Sequence, residues 1–173
     1  MAANLAIRLR RNLLAIGGSE VVVRPDTYLL DVVNRGQLFE DAHIRIVRGL
    51  PNQCHYNAAR LWLRGRCSNI ATGYYLCFDG RWLQHSWGVT RAGVILDSHS
   101  GGRLYFGTVL DDLRSLAFAE SACHLPEVKA WIETHRKRYQ AMLVVALVDW
   151  PRPLDLNREC DSFARSVHGT HGH

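Results

Sequence analysis

Lysine is almost missing from this chain of 173 residues. Lys129 and Lys137 are the only two, so nineteen of the twenty-one basic residues are arginines, spread from end to end. A net charge of +5 invites a nucleic-acid reading. Dispersed arginine, however, fits a genome-wide codon bias better than a binding stripe. The densest late cluster, His135-Arg136-Lys137-Arg138, falls in a helical stretch, where a solvated face is the default. Nucleic acid is therefore not the expected partner.

Long hydrophobic runs are missing too. The longest, Ala141 to Val148, is far short of the roughly 20 apolar residues that span a bilayer, so no membrane span is expected. No repeat, low-complexity tract or Pro/Gly/Ser-rich linker divides the chain. Its length and 47% hydrophobic content suit one domain over residues 1–157. Past Pro151 the apolar pattern fades, and residues 158–173 read as a mobile tail.

Paired cysteines are missing as well. Positions 54, 67, 77, 123 and 160 form no Cys-x-x-Cys and no even framework. That argues against a disulfide scaffold or a zinc site, and for a reducing, cytoplasmic setting. An effector delivered to another cell is compatible with the same pattern. No metal or cofactor is expected. Acidic residues are missing before Glu20, where Leu5, Leu9 and Leu13 recur at helical spacing among arginines. A membrane-surface or targeting segment is one reading. The lack of a continuous apolar core argues against a secretory signal, and the helical repeat predicts an ordinary packed helix.

What is present predicts helices first and a sheet afterwards. Residues 21–37 suggest a short strand and then a helical turn or two, and residues 37–49 another helix. Gly49-Leu50-Pro51 breaks the chain, and Asn52 is placed to cap a helix running from Cys54 to about Gly65. Strands are predicted over 71–78, 82–89, 94–98 and 104–109, with Asp79-Gly80 as a hairpin turn. Asp111-Asp112 opens a helix, another covers about 127–139, and MLVVALVDW reads as a buried strand. The fold class is α+β, with a mainly antiparallel sheet.

Cys54 stands out because it opens a helix. There it meets the positive end of the macrodipole and backbone N–H groups that have no intrahelical partner. Both favour thiolate over thiol, and the same N–H groups can receive an oxyanion. Gln53 or Asn52 can add a side-chain donor. Cys77, inside an apolar run, is instead an ordinary core thiol.

A nucleophilic cysteine needs a base, and the base needs an orienter. The stretch QHSWGVTRAGVILDS supplies both across one hairpin. A turn centred on Arg91 sets His85 directly opposite Asp97, at about 5 Å between Cβ atoms. An even-numbered loop would send Asp97 to the other face, so the pairing requires an odd one. Asp97 would then accept the Nδ1–H of His85 and leave Nε2 to face Cys54. His55, next to the nucleophile on the helix, points about 100° away and is a packing or substrate-side group. Asn57 and Trp87 complete the candidates for oxyanion or substrate contact.

The order NQCHYNA, QHSW, GVILDS resembles the Cys–His–Asp core of the transglutaminase-like branch of papain-like enzymes. More narrowly, these motifs with Gly73-Tyr74 and Tyr105-Phe106-Gly107 resemble a group of small bacterial and phage proteins, over about residues 49–110. His55 stands where that family has an aromatic residue, and Ser98-His99 replaces a Pro-Thr-like continuation. The resemblance implies a papain/transglutaminase-like fold with the nucleophile helix packed on the sheet. It implies a thiol enzyme acting on a protein or peptide amide, first of all a cysteine peptidase or isopeptidase. A glutamine deamidase, a transglutaminase or a catalytically silent binding module can share the same core.

Overall fold

The computed structural model describes residues 2–24, 26–40, 42–99 and 102–148. The tail expected at 158–173, and Cys160 with it, lie outside them. Leu9 and Leu13 of the first helix, α1 (Ala2–Ile16), are completely buried. The leucine repeat is thus the packed stripe of a helix whose arginines face outward. With α2 (Leu29–Arg35), α1 covers Tyr74, Leu76, Trp82 and Phe106.

Among the described residues seven strands form one mixed sheet: β1 (Glu20–Val22), β2 (Gln37–Leu38), β3 (Ile44–Ile46), β4 (Asn69–Leu76), β5 (Arg81–Val89), β6 (Ile95–Asp97) and β7 (Leu104–Val109). Their order is β2-β7-β4-β5-β6-β3, with β1 paired to β5. Four pairings are antiparallel, while β1–β5 and β3–β6 are parallel. The fold is α+β, as its sequence pattern indicates. Behind the sheet lie α3 (Cys54–Leu63), α4 (Asp112–Ala122), α5 (Leu125–Thr134) and α6 (Arg136–Val148), packed around Trp62, Ile70, Leu96, Phe118 and Trp131. Asp111 caps α4 by accepting the Arg114 N–H at 2.8 Å, as the Asp-Asp pair suggests.

Two elements differ from expectation. Residues 37–49 form no helix; they supply β2 and β3, which take opposite edges of the sheet against β7 and β6. Short edge strands carry little periodicity of their own, and the open ladder decides their state. The apolar run read as a strand from Met142 continues α6 instead, as far as Val148. A short apolar run does not by itself distinguish a strand from a buried helix.

One feature of the sheet makes the site possible. β4 occupies one side of β5 from Trp82 to Val89. On the other side β1 takes residues 81–83 and β6 takes 88–89, leaving Gln84 to Trp87 without a ladder partner there among the described residues. The start of α3 sits beside that gap.

Candidate active site

The helix start follows from its backbone. Gln53 is the N-cap, and the first intrahelical bond runs from the Asn57 N–H to the Gln53 carbonyl at 2.8 Å. The amides of Cys54, His55 and Tyr56 precede it and are left free by helix geometry. Asn52 does not cap: it forms the turn before the helix, at φ 57°, a conformation Asn tolerates better than most residues. Asn57 is no oxyanion donor either. Its Oδ1 accepts the Leu50 N–H at 2.9 Å and its Nδ2 donates to the Leu50 carbonyl at 2.8 Å. This clamp holds the loop before Cys54 so tightly that a Cβ on Gly49 would lie 2.6 Å from Asn57 Nδ2.

Across the gap, β5 and β6 pair as Val89 with Ile95 and Gly88 with Leu96. The turn is therefore centred on Ala92 rather than Arg91, with Gly93 at φ 77° closing it. The loop is still odd, so Asp97 stays on the face of His85, but it sits diagonal to it instead of opposite. The two meet all the same: His85 Nε2 lies 2.8 Å from Asp97 Oδ1. The ring is thus turned the other way from the sequence expectation, and Nδ1 is the nitrogen left for Cys54.

Asp97 is completely buried and satisfied on every side. Besides His85, it accepts the His99 N–H at 2.8 Å and the Tyr105 hydroxyl at 2.5 Å. Burial opposes its ionisation, yet the His85 ring and these donors hold its carboxyl below the ordinary carboxylate value. His85 is 2% exposed. Burial alone would push its pKa down; Asp97 and Cys54 outweigh that and raise it to about 9.

Cys54 shows the complementary behaviour. Burial works against the thiolate, but the hydrogen bond from His55 and the His85 ring across the cleft bring the thiol down to about 5. His55 Nδ1 lies 3.1 Å from Cys54 Sγ, and its ring stacks on Phe118 at 5.5 Å between centroids. The hydrogen bond to Cys54 also raises the pKa of His55. An imidazole one residue along the helix thus reaches the thiol, which a view of helix faces alone does not anticipate. Cys67 and Cys123 behave oppositely: burial pushes them to about 12 and about 11.

Gln53, Cys54, His55, Gln84, His85 and His99 are among the residues lining a cleft of about 430 Å³. Asn52 lines it too, whereas Trp87 does not. Trp87 is buried edge-on against Phe39 and Tyr105 at 5.4 and 5.1 Å, and so belongs to the core under His85 rather than to a substrate surface. Tyr105 was not among the sequence candidates for the site. Only the ladder that sets it beside Tyr75 on the next strand brings it to Asp97. Gln84, also missed, donates to Asp26 Oδ2 at 2.6 Å. Among the described residues no group of three or more His, Cys, Asp or Glu side chains is arranged to hold a metal ion, and no helix is long and apolar enough to cross a membrane.

No family model, curated protein or solved structure matches this chain.

Proposed function

We propose that this protein is a thiol-dependent amide hydrolase, in the first place a cysteine peptidase or isopeptidase, built on a papain/transglutaminase-like core. The observation that carries the reading is the hydrogen-bonded, buried His85–Asp97 pair beside a thiol at a helix N-terminus. The shifts of Cys54 to about 5 and His85 to about 9 describe a thiolate–imidazolium pair at neutral pH.

Cys54 attacks the carbonyl carbon, forming the Sγ–C bond and an oxyanion. The free amides at the start of α3 receive that oxyanion, with the Gln53 side chain as a further donor. Collapse breaks the C–N bond, and His85 gives its proton to the leaving amine. Water then attacks the thioester, His85 takes its proton, and the acid leaves as Cys54 returns to thiolate. Asp97 holds the His85 ring throughout. His55 is a second hydrogen-bond donor to the resting thiolate.

Ammonia as the leaving group would make the same cycle a deamidation, and a lysine in place of water a transamidation. Hydrolysis comes first because water is the default acceptor. Alkylation with iodoacetamide followed by mass-spectrometric mapping tests the reading: fast, pH-dependent labelling at Cys54 is expected. Slow labelling at Cys54, no faster than at Cys67, would leave a catalytically silent binding module.

A further inference from the structure

Five of the nineteen arginines converge in space. Arg45, Arg48, Arg60, Arg64 and Arg66 line a second cleft of about 490 Å³. Leu50, Asn57 and Ser98 line both this cleft and that of Cys54, so the two adjoin. Among the described residues no Asp or Glu lines it. Arg60 has Glu127 at 3.8 Å, but among the described residues the other four form no ion pair. Cations at the C-terminal end of α3 suit the helix dipole. That accounts for Arg60 and Arg64, and leaves Arg45 and Arg48, contributed by β3 and the loop after it, without such a reason.

We propose that this cleft binds anionic side chains, carboxylate or phosphate, of a peptide that continues into the Cys54 cleft. As a statement of substrate class this rests on Cys54 being the nucleophile. Guanidinium forks match both anions in bidentate geometry, and an anion relieves the mutual repulsion of the arginines. The occupant is a peptide for two reasons. First, among the described residues β3 is the last strand of the sheet and its outer edge has no partner, with Ile46 54% exposed, so an extended segment can add there. Second, the apolar lining is aliphatic, Ile46, Val47, Leu50 and Leu61, and among the described residues offers no aromatic surface on which bases stack.

Fluorescence anisotropy with a short fluorescein-labelled Glu/Gly peptide tests this, beside matched phosphoserine/Gly and Lys/Gly peptides and a single-stranded oligonucleotide. The proteins are wild type, Cys54→Ser, and a variant combining Arg45→Gln, Arg48→Gln, Arg64→Gln and Arg66→Gln. The Glu or phosphoserine peptide should bind wild type and Cys54→Ser alike, the tighter of the two identifying the anion, and salt should weaken both. The arginine variant should bind at least about tenfold more weakly, the loss expected from even one charge-assisted hydrogen bond. A melting curve matching wild type shows that this loss is not unfolding. Equal binding of the Lys peptide, tighter binding of the oligonucleotide, or full binding by the arginine variant would each overturn the proposal. Because binding is read without turnover, an inert Cys54 sinks the enzymatic reading and leaves the binding result standing.

Discussion

Replacing Asp97 by Asn changes almost nothing in size and removes one negative charge from a fully buried position. The amide oxygen can take the place of Oδ1, which already accepts from both His85 Nε2 and the His99 N–H, while the NH₂ replaces Oδ2 and turns to the Tyr105 hydroxyl, which can rotate to accept. The fold should therefore survive, at a cost of about 1–3 kcal/mol for imperfect pairing in a buried network. The chemistry should not survive. Asp97 is the strongest of the influences that hold His85 near 9 against burial, and without its charge only Cys54 opposes burial, so the pKa of the ring falls. Less of His85 is then imidazolium at neutral pH, and the Cys54 thiolate loses part of the support of its buried partner. Alkylation of Cys54 followed against pH should show a midpoint well above that of wild type. Amide turnover, once a substrate is in hand, should fall by on the order of 10²- to 10⁴-fold, the upper figure being that of serine triads. A melting curve run alongside separates this from unfolding. An unchanged midpoint and rate would remove Asp97 from the mechanism and leave at most a Cys–His dyad.

His55→Phe keeps an aromatic ring for stacking on Phe118 but removes the hydrogen bond to Cys54. It should leave the melting temperature nearly unchanged and raise the midpoint of Cys54 alkylation; an unmoved midpoint would confine His55 to packing. Gly73→Ala tests the close strand approach behind His85. A Cβ there would lie 2.2 Å from the Phe106 carbonyl oxygen and 2.5 Å from Gly107 Cα. Backbone cannot yield cheaply, so a loss of about 1–3 kcal/mol or more is expected by chemical denaturation, and an unaltered midpoint would contradict the β4–β7 register.

The sequence made the helix of Cys54 legible because a break, a thiol and an apolar helical repeat follow one another from Gly49 to Trp62. The β5–β6 hairpin was legible because an odd loop and strict alternation put His85 and Asp97 on one face even though the turn centre moved by one residue. Tyr105 was invisible because its link to Asp97 passes through three strand pairings rather than one. The helix expected at 37–49 failed for a related reason: β2 and β3 exist because of the edges they meet. His55 was set aside on helix geometry, which places Cβ atoms but not the end of an imidazole. The arginine cleft escaped because β3 and α3, far apart in pattern, are brought together only by the fold.

The central claim is that Cys54 is a thiolate held by imidazole at neutral pH. Its most direct test is the rate of Cys54 alkylation by iodoacetamide as a function of pH, resolved from the other thiols by peptide mapping. The rate should rise with a midpoint of about 5 and change again as His85 loses its proton through about 9, so that the thiolate–imidazolium pair persists between these values. A single rise near 9, the ordinary thiol value, would contradict it.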